Sequence, residues 1–359
     1  MKLKFFTLLP IVLLAAVLLS ACGNSRYYTP TNWPGVTADE NTAYVAYNTF
    51  VYAVDLNTGA EKWRFPEKAD AKMTFFSDPV LTPDGQLLAA SYNHFLYSID
   101  PVTAAQNWVF EGSKNRLVAS PLVTENGIFL TSTDGFVYAL DFNGRSVWSF
   151  ETGNAIWSQP ATDGAERLFV SSLDHHVYAL DLKTGQQIWQ SEDLNGALVG
   201  APAYSESNDM LYIGTFNNEL LALDASNGQV QWRFATQAWV WSAPAVSDGV
   251  LYFGDQQGNF YAVDVSTHAA LWRIQPQPDT PIVTTPLVVE DKIHFSAATN
   301  IYTVNDQGGI TLTQPISGLM YASPVLAGNL ILAAPLDNDA LLIALQQSGA
   351  QAWNFIPEK

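Results

Sequence analysis

One segment of about thirteen residues recurs along this chain. It reads VYAVDLNTGAEKW at 51–63, LYSIDPVTAAQNW at 96–108, VYALDFNGRSVW at 137–148, VYALDLKTGQQIW at 177–189, LLALDASNGQVQW at 220–232 and FYAVDVSTHAALW at 260–272. The closing tryptophans are 45, 40, 41, 43 and 40 residues apart, and the next, Trp353, follows after 81. That last gap holds two units, because IYTVNDQGGITL (301–312) repeats the segment with Leu312 at the tryptophan position, and LIALQQSGAQAW (342–353) ends the series. A second marker counts independently: a proline ahead of short apolar residues, at Pro34, Pro79, Pro121, Pro160, Pro202, Pro244, Pro286 and Pro324. Both markers give eight units. A period near forty commits the chain to stacked copies of one supersecondary unit.

Each unit reads as four short strands. In the third these are SPLVT (120–124), IFLTS (128–132), FVYALD (136–141) and SVWSF (146–150), separated by Glu125-Asn126-Gly127, Thr133-Asp134-Gly135 and Phe142-Asn143-Gly144. Short β-branched and aromatic runs between Asn-Gly and Asp-Gly pairs are hairpin signals. The connections have no room for a helix, so each unit is an antiparallel meander. In D-x-x-T-G, a carboxylate such as Asp181 accepts from turn amides and Gly185 takes the left-handed position. Units 3, 7 and 8 shorten this turn by one residue, with Gly144, Gly308 and Gly349 three positions after Asp141, Asn305 and Gln346.

A sheet of forty residues has two apolar faces and buries neither alone. Radial repetition lets each sheet cover its neighbour, and closure removes the terminal faces an open stack would expose. The expected fold is therefore all-β, an eight-bladed β-propeller of four-stranded antiparallel blades over 34–356. The pattern VYALDxxTGxxxW, with the preceding SP, resembles the PQQ-type propeller repeat. The resemblance implies that each blade's tryptophan packs over the turn of the next: Trp63, Trp108, Trp148, Trp189, Trp232, Trp272 and Trp353 here. Asn305, Leu312 and Gln346 depart from the pattern, so the ties of units 7 and 8 are expected to be weaker.

The N-terminus carries an address. Lys2 and Lys4 precede the apolar run FFTLLPIVLLAAVLL (5–19), too short for a bilayer span and interrupted by Pro10. Leu19-Ser20-Ala21-Cys22-Gly23 follows and resembles a bacterial lipobox. The resemblance implies cleavage before Cys22 and lipid on its sulfur, with 1–21 the signal peptide and 22–33 a lipidated tether reaching at most ~35 Å. An uncleaved anchor helix or a plain secretory signal is the alternative. Cys22 is the single cysteine, so its lipidation leaves no thiol for a disulfide, metal site or nucleophile. Gly23 differs from the Asp that resembles an inner-membrane retention signal. The expected location is extracytoplasmic: the outer membrane of a two-membrane cell, otherwise the outer face of the cell membrane.

The formal charge is −18, and loss of 1–21 would make it two units more negative. So acidic a body repels phosphate backbones, and nucleic acid is not an expected partner. No metal site or cofactor is expected. The PQQ-type resemblance includes quinoprotein alcohol dehydrogenases, whose quinone lies between a tryptophan floor and adjacent disulfide-bonded cysteines, beside Ca²⁺. This chain has no adjacent cysteines and lacks those enzymes' large insertions. His94, His175 and His268 occupy glycine positions of turns, which is a backbone role. Asp55, Asp100, Asp141, Asp181, Asp224 and Asp264 recur once per blade, as turn caps do.

The residues ahead of each proline enter the central channel. Three positions back lie Phe76, Val118, Trp157, Val199, Trp241, Val283 and Tyr321, and five back lie Arg116 and Trp239 among others. If both sets share a strand face, one rim collects Phe76, Arg116, Trp157, Trp239, Trp241 and Tyr321, the composition of a binding hot spot. The alternative is that these rings are wedged between blades. The leading expectation is a non-catalytic, lipid-anchored, monomeric scaffold for protein partners in the cell envelope. In lipobox, repeat and blade number the chain resembles the lipoprotein propellers of the outer-membrane β-barrel assembly machinery. The alternatives are a protein binding a small ligand or glycan in the channel and, below that, a PQQ-dependent dehydrogenase.

Overall fold

The computed structural model describes residues 33–358. Cys22, the lipobox and residues 22–32 of the tether lie outside the described residues. Those described form strands and turns, with no helix among them. They make eight four-stranded antiparallel sheets arranged as a propeller ring.

Every blade is built from one contiguous stretch. Blade 1 runs from the strand Gly35–Ala38 to Glu61–Phe65, and blade 8 from Val325–Ala327 to Gln351–Phe355. Blade 3 comprises Leu122–Thr124, Gly127–Thr131, Phe136–Leu140 and Ser146–Glu151, close to the strands the sequence predicts. In blade 8 a two-stranded ribbon, Leu319–Met320 with Pro335–Leu336, adds to the meander.

One register detail repeats in every blade. The tryptophan of the outermost strand lies opposite a small residue: Ala53 with Trp63, Ser98 with Trp108, Ala139 with Trp148, Ala179 with Trp189, Ala222 with Trp232, Ala262 with Trp272 and Ala344 with Trp353. Blade 7 keeps the register with Thr303 opposite Leu312. A small partner leaves the indole room to lie across the sheet. The register shifts immediately afterwards, and such a bulge turns the skipped residue outward. This accounts for the exposure of Val147, Ile188 and Leu271, each directly before its tryptophan.

The cores sit between blades. Phe169, Val177 and Trp189 of blade 4 pack with Leu211, Ile213 and Leu221 of blade 5. At the junction of the chain's two ends, Val45 and Val54 of blade 1 pack with Leu332, Leu342 and Phe355 of blade 8.

The tryptophans also bridge these junctions by hydrogen bonds. Six of the seven indole N–H groups donate to the carbonyl that follows the capping residue of the next blade's outer turn: Trp63 to Pro101 (2.9 Å), Trp108 to Phe142 (3.0 Å), Trp148 to Leu182 (3.2 Å), Trp189 to Ala225 (3.0 Å), Trp272 to Asp306 (2.7 Å) and Trp353 to Leu56 (2.7 Å). Trp232 stacks instead on His268, with centroids 4.8 Å apart. The turn glycine beneath the ring is required: a Cβ on Gly185, at φ +69°, would stand 2.4 Å from Trp148 Cε3. His94, His175 and His268 all have positive φ.

Candidate functional site

The blades leave a channel whose wall is contributed blade by blade. Phe76, Val118, Trp157, Val199, Trp241, Val283 and Tyr321 all line it. Blade 1 has no described counterpart, and Trp33 lines the wall there. These residues lie in the connections that precede the innermost strands, whereas the sequence reading placed them on a strand face. The innermost strands are only two or three residues long in several blades, too short to extend back to the mouth.

At several of the prolines, the residue just before joins neighbouring blades. Asp78 Oδ1 accepts from the Val36 amide at 2.8 Å, Gln159 Nε2 donates to the Pro121 carbonyl at 3.0 Å, and Ser323 Oγ accepts from the Thr285 amide at 2.9 Å. Burial among protein groups pushes the Asp78 pKa up, while the Val36 amide and the Ser120 hydroxyl pull it back. Its side chain still opens on the channel, and channel water moderates that upward push. These polar staples were not foreseen from sequence; the polar residues at 78, 120, 159, 285 and 323 ahead of proline are the signal that reveals them.

The mouth of the channel carries the aromatic residues. Trp33 stacks on Tyr321 (5.9 Å, 21°) and meets Phe76 edge-on (6.3 Å). Phe76 stacks on Tyr92 at 4.4 Å, and the Arg116 guanidinium lies 4.3 Å above the Tyr92 ring with Nη1 donating to its hydroxyl at 2.8 Å. The arrangement is a continuous aromatic arc capped by a cation. On the far side, Trp239 stacks on Phe216 (4.8 Å, 12°), and Trp241 tilts against the same ring at 5.8 Å.

The proposed rim residues divide in exposure. Trp239 is 48% exposed, Trp157 43% and Tyr321 40%. Arg116 is exposed and Trp241 half-buried. Phe76 is a correction to the rim as read from sequence: it is buried, because Trp33 and Tyr92 cover it, and it supports the arc from beneath. Trp239 and Arg116 stand outside the channel wall, so the two sets of positions do not form one continuous face.

A second cavity of about 230 Å³ opens at this mouth between Trp33, Trp241, Gln256, Pro281, Val283 and Tyr321. Gln256 Nε2 is buried there with no hydrogen-bond partner among the described residues.

The quinone that gives the repeat its name is a polycarboxylate, and burying it requires cationic partners. Among the described residues, the channel wall presents serines, a glutamine and Asp78 but no lysine, arginine or histidine. These residues do not fit the quinone.

Fold and channel together define a PQQ-type β-propeller with an aromatic mouth. The family model described as outer membrane protein assembly factor BamB matches residues 48–172 and 173–299, and the chain belongs to that family. The Yersinia pestis protein named outer membrane protein assembly factor BamB is 27% identical over 228 residues, 58% of this chain and 57% of its own length. A polyvinylalcohol dehydrogenase of a Pseudomonas species is 29% identical over 192 residues, 40% of this chain and 30% of its own. This chain therefore spans little more than half of one relative and less than a third of the other. The crystal structure of BamB from Moraxella catarrhalis superposes with a TM-score of 0.73 at 17% identity, covering 86% of this chain and 94% of that one; it shares the fold.

Proposed function

We propose that this protein is a non-catalytic, lipid-anchored scaffold of the cell envelope that takes part in outer-membrane protein assembly, with Cys22 as its anchor. Family membership supports the process, and the lipobox supports the location. The observation that carries the scaffold reading is the Trp239–Phe216–Trp241 cluster: Trp239 is stacked in place yet 48% exposed. A rigid, half-open indole on a folded rim is the side chain type that dominates protein interfaces. The partner is a protein segment that covers these rings, and docking needs no catalytic group.

Crosslinking in native membranes tests this. Wild type is compared with a Trp239→Ala/Trp241→Ala variant of unchanged melting temperature. Loss of one captured partner supports the rim. Retention of every partner places the interface elsewhere.

A second reading rests on Gln256. An unpartnered buried amide beside two tryptophans and a tyrosine suits a small ligand bearing an acceptor and a flat face, such as a sugar. Titration with oligosaccharides, followed by indole fluorescence, checks it; a signal unchanged by Gln256→Ala removes this reading.

A further inference from the structure

We propose that the channel mouth from blade 6 to blade 8 recognises a proline-rich segment that carries lysine or arginine. The inference rests on the reading that the rim docks a protein segment, and deepens it by naming the chemistry of that segment.

The first observation is a surplus of hydrogen-bond donors. Six of the seven tryptophans that tie the blades donate their N–H to a backbone carbonyl. The four at the channel, Trp33, Trp157, Trp239 and Trp241, donate to no group among the described residues. Trp33 and Trp241 line one cavity with Gln256 and Tyr321, and among the described residues no charged side chain lines it. Its polar side-chain groups are thus two indole N–H groups, an amide and a phenol, and all four can donate. The Gln256 amide nitrogen also lacks a partner among the described residues. A ligand that answers this wall is rich in acceptors and poor in donors. A polyproline II helix has that character: its prolines carry no N–H, and its carbonyls bond to nothing within the helix.

The second is shape. Trp33 and Tyr321 are stacked, and Trp241 continues the wall onto Phe216 and the exposed Trp239. Pro281 completes the cavity, in a loop that also holds Pro276 and Pro278. Fixed φ angles make that wall rigid before anything binds. Grooves lined by flat rings are how proline-rich segments are bound, with prolyl rings laid against aromatic faces. A partner strand would need a free backbone edge instead. The connections here pair with one another as the ribbon of Leu319–Met320 with Pro335–Leu336, two residues a side, too short an edge for strand addition.

The third is charge. Asp279 is exposed, and its amide donates to the Gln257 carbonyl, beside Gln256. Asp337 and Asp339 are exposed and flank Asn338, which lies against Gly318 in the loop that carries Tyr321. No lysine or arginine occurs between Lys292 and Lys359, and Lys292 belongs to the hairpin turn at the other end of blade 7. Between Arg233 and Lys292 there is only Arg273, on the outermost strand of blade 6. Arg116 stands two rings away, beyond Phe76 and Tyr92. This part of the mouth is therefore acidic without compensation, and it draws a segment whose prolines alternate with cations.

The test uses full-length protein in detergent micelles and three fluorescein-labelled peptides of equal length, followed by fluorescence polarisation. Their repeats are proline-proline-lysine, glycine-serine-lysine and proline-proline-glutamate. We expect saturable binding of the first and little of the others. Trp239→Ala and Trp241→Ala should each weaken it about tenfold or more, the range for an aromatic hot spot. Asp279→Asn combined with Asp337→Asn and Asp339→Asn keeps every ring, and should weaken binding several-fold at low ionic strength but not at high. If a tryptophan variant fails to fold, this aspartate variant decides. Equal binding of the glycine-serine-lysine peptide overturns recognition of proline. Binding that survives all these substitutions, at unchanged melting temperature, overturns the site. No binding of the proline-proline-lysine peptide overturns the proposal outright. Crosslinking in native membranes is then still the measure of rim docking, so the two failures are separable.

Discussion

Trp353 donates its indole N–H to the Leu56 carbonyl at 2.7 Å, joining the outermost strand of the last blade to the outer turn of the first. The same indole lies under Gly59, whose Cβ, were there one, would be 2.8 Å from the ring. Among the described residues, neither end lends a strand to the other's blade. Closure therefore depends on this contact and on the apolar cluster around it.

Trp353→Ala should lower stability by ~3–5 kcal/mol, the range for truncating a buried aromatic. Trp189→Ala, at an interior junction of the same geometry, should cost a similar amount. Urea denaturation of the two variants compares them. An unchanged midpoint for either contradicts a bridging role.

Leu312 already covers the turn of blade 8, with Cδ2 placed 2.8 Å from where a Gly349 Cβ would lie. Leu312→Trp enlarges that cover and positions an N–H near the Gln347 carbonyl, the counterpart of the acceptors elsewhere. A gain of ~0.5–1.5 kcal/mol is expected if the new hydrogen bond forms. A lower melting temperature would mean that Thr303, where other blades carry alanine or serine, leaves the indole too little room.

His294 is buried in blade 7, and its Nδ1 lies 2.9 Å from Thr303 Oγ1. Burial, helped by Lys292, pushes its pKa down to about 4 from 6.5. The unfolded chain then binds the proton first as pH falls, so the stability due to neutral His294 is complete above pH 6.5. It is lost progressively between pH 6.5 and 4, by about 3 kcal/mol. His294→Asn should flatten that limb of a stability–pH profile, read from urea midpoints.

Arg167 joins blades 4 and 5: Nε meets Asp163 Oδ2 and Nη2 meets Asp209 Oδ1, each at 2.6 Å. Burial raises the Asp163 pKa, but the guanidinium and three turn amides outweigh it and hold the carboxyl down to about 2. Its contribution is present above pH 4 and disappears as pH falls toward 2. Arg167→Met leaves two carboxylates facing each other and should cost about 1–3 kcal/mol at neutral pH. Part of that loss should return near pH 3, when the carboxylates take up protons, and calorimetric melts at pH 7 and pH 3 measure both.

Blade number, strand order and the turn chemistry were legible because each blade repeats them. The spacing of Asp141 to Gly144 against Asp181 to Gly185 separates the tight turns from the longer ones, and the backbone bonds follow it: Gly144 donates to Asp141 and Gly185 to Asp181. The rim was only partly legible. Phe76 and Trp241 occupy equivalent positions, yet Phe76 is covered because Tyr92 and Trp33 come from other parts of the chain. Trp33 itself read as tether, since nothing local announces that an indole beside Pro34 will stack on Tyr321, 288 residues away in sequence. The ribbon of Leu319–Met320 with Pro335–Leu336 was hidden for the same reason: it occurs in one blade and so leaves no period.

Seven of the eight blade junctions are crossed by the peptide chain; among the described residues the eighth, between blades 8 and 1, is crossed by side chains and packing alone. A pull delivered through Trp33 acts on the blade that borders this junction. Under tension applied along the chain, the ring has one place to part without breaking a covalent bond or stripping a strand. The propeller is then a clasp whose fastening is Trp353.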